Sequence, residues 1–413
     1  MLDYELFTLP NGIRIVHKQV NNSKIVHCGF MLDIGSRDEK ADQQGLAHFW
    51  EHMAFKGTQK RKAFHILNRL DSVGGELNAY TTKEKICFHA SVLDSYFEQA
   101  FELLADITFD SVFPEKQIEK ERNVILEEMM LYLDTPEDSI QDEFDTTIFG
   151  EHQLGKNILG DEESVKRFTR DDFKRFIQEN LISERIIFSS VGNMPMKKVI
   201  KLAEKYISHI PVFNANRKRI PFTGYQPRIQ EFQRPIKQAH CAIGRTAYSI
   251  SDAKRMPFFM LVNILGGPGM NSKLNLSLRE KYGYVYSVDA NYSPYTDTGQ
   301  LGIFFGTEPS QLDKSIKLVL KELDKIQKEP FGTSQLHKYK VQLMGQLAMA
   351  EENNMSLMIM MAKSLLDLER IDSLDEIFAA VESVTAAQLQ EVAKEMFHPE
   401  GLSMLKYIPS ESV

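Results

Sequence analysis

The chain has 413 residues, 43% of them hydrophobic and 26% charged, with a formal net charge of −8 and a pI near 5.8. That length allows two domains and a sizeable core. The acidic balance argues against a nucleic-acid partner, which calls for a basic stripe. No run approaches the ~18 uninterrupted apolar residues of a membrane helix, so no membrane partner is expected. The opening MLDYELFTLPNG lacks the basic start and apolar run of a secretory leader. Cys28, Cys87 and Cys241 are too scattered for a CxxC zinc site and suit a reducing compartment. A cytoplasmic location is therefore expected.

In chain order, KIVHCGFML (24–32) reads as a strand and the segment around HFWEH (48–52) as a helix. GGELNAYTTKEKICFHASV (74–92) reads as two paired strands, and a long helix starts near Ser95. Four prolines, Pro211, Pro221, Pro227 and Pro235, then mark a linker. Beyond it KQAHCAIGRTAY reads as a strand, MPFFMLVNIL as a helix, and GGPGMNSKL as a turn before a helix ending at LREKYG. YVYSVDANY and GQLGIFFGT read as strands, followed by a helix from Gln311. The order of elements repeats, and His27-Cys28 and His240-Cys241 hold the same place in it.

The expected fold is α+β: two duplicated α/β units with mixed or antiparallel sheets covered by helices. Their boundaries are residues 1–211 and 229–413, joined by a proline-rich linker at 212–228. Aligned on the shared dipeptides, HFWEH falls opposite LVNIL at 261–265, which offers no metal ligand. The duplication thus predicts one metal site per chain.

Residues four apart share a helix face. Leu46, Ala47, Trp50, Met53 and Ala54 form the apolar set of QQGLAHFWEHMAF, with Gly57 as a stop signal, so His48 and His52 project side by side. Two such imidazoles can grip one zinc ion, and Glu51 lies between them in angle, placed to take a proton from a metal-activated water. H-x-x-E-H is the inverse of the commoner zinc-peptidase order. Helices that bind nothing carry paired histidines too, so a third ligand is needed. EKQIEKERNVILEEMMLYLD reads as a helix with a stripe of Ile118, Val124, Ile125, Leu131 and Tyr132, interrupted by Glu121 and Glu128. Those two carboxylates, seven apart, lie nearly in line on a face where they are costly unless paired or bound to a cation. Glu127 points about 100° away, which favours Glu128 as the ligand.

With H-x-x-E-H and Glu128 76 residues after His52, the sequence resembles the pitrilysin family of zinc metallopeptidases, in the bacterial branch similar to the mitochondrial processing peptidase. GLAHFWEHMAFKGT also looks like the family, with Trp50 where leucine is more usual. The resemblance implies zinc held by His48, His52 and Glu128, with Glu51 as general base. It places Glu121, seven residues before the ligand, in a supporting role. It also implies that substrate peptide adds as a strand beside GGELNAYT, at Gly75, Asn78, Ala79 and Tyr80. In SLREKYGYVYSV, Arg279 and either Tyr284 or Tyr286 match family residues that complete the site from the second half; the two tyrosines are expected on one strand face.

No nucleotide motif such as GxxxxGK[ST] occurs, so ATP-independent hydrolysis of peptides is the expected activity. Family members enclose a chamber built from four such units. Two units in this chain imply half of a clamshell and a homodimer, since one chain carries both sets of site residues. The alternatives are a protease dedicated to one precursor peptide and a non-catalytic scaffold subunit of the same fold.

Overall fold

The computed structural model describes residues 4–410. Its residues cluster into two compact units. The first comprises residues 1–129, 156–219 and 349–373; the second comprises 130–155, 220–348 and 374–413. The chain passes from one to the other between Arg219 and Ile220, inside the proline-rich stretch, but two further segments are exchanged.

The first unit is built on six strands: β1 (Glu5–Thr8), β2 (Arg14–Gln19), β3 (Ile25–Leu32), β4 (Glu76–Thr81), β5 (Ile86–Leu93) and β6 (Ile186–Gly192). Their order is β1-β2-β6-β3-β5-β4, with β2 and β6 parallel and the other pairs antiparallel. Alternation sends Val26, Cys28, Phe30 and Leu32 of β3, and Ile86, Phe88, Ala90 and Val92 of β5, into one core with helices Leu46–Ala54 and Phe97–Phe109. Met31 and Cys87 face the other way, against helix Asn354–Leu368, which comes from late in the chain.

The second unit holds β7 (Ile229–Arg234), β8 (Ala239–Ala247), β9 (Val285–Pro294), β10 (Gly299–Thr307) and β11 (Ser403–Pro409). Their order is β7-β11-β8-β10-β9, with β7 and β11 parallel and the rest antiparallel. This matches β2-β6-β3-β5-β4 strand for strand and sense for sense. Helices Arg255–Gly266 and Leu312–Lys328 pack on one face, and helix Pro136–Phe149, from the first half of the sequence, packs on the other. The duplication, the mixed sheets and the helical cover follow the sequence expectation.

Helix Leu46–Ala54 stops ahead of Gly57, with Phe55 as its C-cap, and the helix expected near Ser95 starts at Phe97 after a short 3₁₀ turn. One detail differs. In helix Glu115–Asp134 the buried residues are Ile118, Glu121 and Ile125, whereas Val124, Leu131 and Tyr132 of the expected stripe are exposed, Leu131 by 66%. At 100° per residue Val124 and Leu131 fall well to the side of the line through Ile118, Glu121 and Ile125. Tyr132 lies past Met129, where the helix leaves the first unit.

Phe30 meets Phe101 and Phe188 edge-on in the first core, and Phe188, fully buried on β6, lies tilted against Phe101 with 4.3 Å between ring centroids. Phe188→Ala should cost about 3–5 kcal/mol, read as a lower denaturation midpoint of the zinc-loaded protein. An unchanged midpoint would contradict the packing described.

Candidate metal centre

Helix Leu46–Ala54 packs Leu46, Ala47, Phe49, Trp50, Met53 and Ala54 into the core, which leaves the also buried His48 with the partly exposed Glu51 and His52 on its remaining face. The imidazoles of His48 and His52 stand 4.6 Å apart between centroids, edge to face. Glu128 reaches them from helix Glu115–Asp134: its oxygens lie 3.8 Å from His48 Nε2 and 3.5 Å from His52 Nε2. Among the described residues, His48, His52 and Glu128 are the group able to hold a metal, with ligand atoms all within 4.8 Å of one another. Glu127 is exposed.

Glu121 is 6% exposed and bonds on two sides. His52 Nδ1 donates to one of its oxygens (3.3 Å) and Lys56 Nζ meets the other (2.7 Å). Glu51 is half-buried and accepts a hydrogen bond from the Thr81 hydroxyl at 2.6 Å. Thr81 is the last residue of β4, the edge strand of the six-stranded sheet. The expected peptide-binding residues are on or beside that strand: Asn78, Ala79 and Tyr80 within it, and Gly75 just before it. A Cβ at Gly75 would come within 2.6 Å of the Val92 side chain, so the approach to β5 needs glycine.

Burial pushes the His48 imidazole down to about 4, and the neighbouring His52 adds to that; Glu128 opposes both. For His52 burial acts in the same direction, but Glu121 and Glu128 outweigh it and raise it to about 9. Burial also raises Glu51 above the usual carboxylate range, against the Thr81 hydrogen bond. Glu121 is lowered, because His52 and Lys56 overcome its burial, and Glu128 is lowered chiefly by its hydrogen bond to His52.

The donor set fits zinc. Tetrahedral bonds of ~2.1 Å put neighbouring ligand atoms ~3.4 Å apart; each imidazole Nε2 already lies 3.5–3.8 Å from a Glu128 oxygen, and one ligand atom from each residue falls within 4.8 Å of the others. Metal-bound histidines commonly donate their second nitrogen to a carboxylate, as His52 does to Glu121. His48 Nδ1 is buried without a hydrogen-bond partner among the described residues.

Arg279, Tyr284 and Tyr286 belong to the second unit. Arg279 lies in a π-helical stretch, Asn275–Lys281, and its guanidinium sits 5.4 Å from the centroid of the Tyr286 ring. Tyr286 is 84% exposed on β9. Tyr284 does not share its strand face: it precedes β9, is half-buried, and stacks on Tyr282 at 5.4 Å with Lys314 Nζ 5.9 Å from its ring. Gly283, at φ +61°, turns the chain between the stretch and the strand, and the two-residue period the sequence suggested begins only at Val285, one residue past Tyr284.

Sequence reasoning passed over Thr81 and Lys56. Lys56 carried a signal, since it follows His52 by one helical turn. Thr81 carried none beyond its place at the end of the strand.

A helix-borne H-x-x-E-H completed by a glutamate from a second helix, on one of two like α/β units, defines a zinc-peptidase type of site. Residues 14–162 match the family described as Insulinase (Peptidase family M16), and residues 167–343 match the Peptidase M16 inactive domain. A protein of Bacillus subtilis named as a zinc protease, YmxG, is 32% identical over 95% of both chains. One from Streptomyces coelicolor, also named as a zinc protease, is 32% identical over 94% of this chain and 86% of its own. The chain belongs to peptidase family M16, the pitrilysin-like zinc-dependent peptidases. Two solved structures share its fold. A peptidase M16 inactive domain from Pseudomonas fluorescens has a TM-score of 0.91 at 16% identity, covering 100% of this chain and 99% of that one. A protease from Helicobacter pylori has a TM-score of 0.90 at 20% identity, covering 98% and 99%. Among the described residues no helix is long and apolar enough to cross a membrane.

The raised His52 stabilises the metal-free protein fully below its ordinary value of 6.5, and that contribution is lost as pH rises through about 9. Zinc must displace this proton, whereas His48, lowered to about 4, is already neutral. At pH 7 zinc uptake should release at least one proton per chain, the one held by His52, with ionisation of the metal-bound water adding to it. Calorimetry in two buffers of different ionisation enthalpy reads this number, and no proton release at pH 7 would contradict the assignment.

Proposed function

We propose that this chain is an ATP-independent zinc metalloendopeptidase that cleaves peptides or unfolded segments, working in the cytoplasm as a homodimer whose paired chains enclose the substrate. The observation that carries the reading is Glu51. It lies on the same helix face as two metal-ligating histidines, yet it is hydrogen-bonded to Thr81 and not drawn into the ligand group. Burial raises this half-buried carboxylate above its usual range, which makes it a stronger base than an exposed glutamate and suits it to taking and returning a proton.

When bound, zinc supplies a positive charge that polarises the attacking water and the peptide carbonyl. His48, His52 and Glu128 would hold it. Glu51 takes the proton of the attacking water and hands it to the departing amine. Glu121 fixes the tautomer of His52 by accepting from Nδ1. The substrate lies along β4 as an added strand, its backbone pairing with residues 75–80, so many side chains are tolerated. Arg279 and a tyrosine of the second unit bind the peptide or the developing oxyanion. The stacking of Arg279 on the exposed Tyr286 supports that tyrosine over Tyr284.

Zinc content together with cleavage of a panel of unrelated quenched peptides, with and without chelator, tests the reading. Glu51→Gln should retain one zinc per chain and lose about 10²-fold or more in turnover. Activity within threefold of wild type would sink the general-base assignment.

Arg279→Ala should also retain zinc and lose on the order of 10²-fold in turnover. Tyr286→Phe should lower turnover more than Tyr284→Phe does; the reverse order would transfer the role. Light scattering that finds a monomer at working concentration would refute the homodimer.

A further inference from the structure

Glu51 has a second oxygen to offer only if something fixes the first. The Thr81 hydroxyl does this at 2.6 Å, and it comes from the strand expected to receive the substrate, not from the metal helix. Thr81 is also unusually well anchored. It is the last residue of β4, paired with Ile86 of β5, and the turn that follows is fastened from several directions. Ser36 N–H donates to the Thr82 carbonyl (3.2 Å) and Arg37 N–H to the Lys83 carbonyl (2.7 Å). The Arg37 guanidinium pairs with Glu84 at 2.5 Å, with both side chains almost fully buried. Arg219 donates to the Glu84 carbonyl at 3.0 Å, and Lys85 pairs with Asp367 at 2.5 Å. Gly35 lies so close under the turn that a Cβ there would clash with the Thr82 carbonyl oxygen. All these residues belong to the first unit.

We infer that Thr81 is a positioning residue for hydrolysis, resting on the peptidase reading above. Its hydroxyl donates to Glu51 Oε2 and thereby turns the other oxygen, Oε1, to the attacking water. Because the donor sits at the end of the edge strand, the frame that aligns the peptide backbone also aligns the base. A free carboxylate on a helix surface samples several rotamers, and a donor fixed to the sheet removes all but one at no cost during the reaction. The hydroxyl, not the bulk of the side chain, is the required feature. The threonine itself neither binds metal nor exchanges a proton with substrate.

The test compares Thr81→Val, which keeps the branched shape without the hydroxyl, with Thr81→Ser, which keeps the hydroxyl without the branch. Both are made in the full chain, zinc-loaded, and assayed on a quenched peptide beside wild type and Glu51→Gln. Thr81→Val should keep one zinc per chain and a KM within about twofold, because the backbone edge of β4 is unchanged. Its kcat should fall about tenfold to a hundredfold, the order expected for one lost hydrogen bond to a charged group. Thr81→Ser should restore kcat to within about threefold of wild type. Thr81→Val with wild-type kcat overturns the inference while leaving the peptidase reading intact. Equal losses in Val and Ser, or a loss confined to KM, also overturn it, since either would mean that packing or strand geometry is what matters. If Thr81→Val does not fold, the serine variant and Thr81→Ala decide by the same two readouts. A wild type that binds zinc and cleaves no peptide overturns the peptidase reading and the Thr81 role with it.

Discussion

Everything at the metal centre depends on the contact between His52 and two glutamates of helix Glu115–Asp134. One imidazole meets Glu121 through Nδ1 and Glu128 through Nε2, so a single side chain sets the register between two helices. The seven-residue spacing of the glutamates is what permits it, because two turns bring them back to nearly the same azimuth. Lys56, one turn beyond His52, neutralises the far side of Glu121. A buried carboxylate without these partners would be costly. With them it holds Glu128 against both imidazoles while leaving the ligand oxygens within reach of a cation.

The duplication shows how little of a unit the metal chemistry needs. Five strands of each sheet correspond in order and in sense. In the helix of the second unit that corresponds to Leu46–Ala54, the aligned residues are Leu261, Ile264 and Leu265, all buried. That helix also buries Phe258, Met260 and Val262, so it is apolar nearly all round and sits under cover. Its counterpart keeps one polar face free of the core. Three substitutions on one helix face, and a glutamate helix lying across it, separate a structural unit from a metal-binding one.

The sequence made legible whatever depends on local period. The metal helix was readable from the spacing of Leu46, Trp50 and Met53 against His48 and His52, and β3, β4 and β5 from alternation. The preference for Glu128 over Glu127 came from helix angle alone. The same angle excludes Val124 and Leu131 from the buried line, and their hydrophobicity alone does not bring them into it. Long-range choices could not be read. Helix Pro136–Phe149 clusters with the second sheet and helix Asn354–Leu368 with the first, although each lies in the other half of the sequence. Nothing in their local pattern selects the partner sheet. The strands β2, β6, β7 and β11 pair with residues far away in sequence and were not singled out, nor was β1, which pairs only with β2. Thr81 escaped because its role is a matter of one rotamer meeting another across two elements.

The turn between β4 and β5 gathers more buried charge than a stable fold requires. Asp33, Asp38, Arg37 and Glu84 are nearly inaccessible, and Arg185, Arg217 and Arg219 converge on the two aspartates. Three guanidinium groups hold Asp33 down to about 2 in spite of its burial. Taking such groups out of water costs several kcal/mol per ion before their attraction repays it, so an apolar cluster of the same volume would stabilise the fold as well or better. An apolar cluster can slide, whereas a bidentate arginine cannot shift without leaving a charge unpaired. Arg217 and Arg219 close the first unit at the point where the chain departs for the second. The network therefore fixes one end of the edge strand and the exit of the linker to the same pair of aspartates, and it is geometry rather than stability that the buried charges supply.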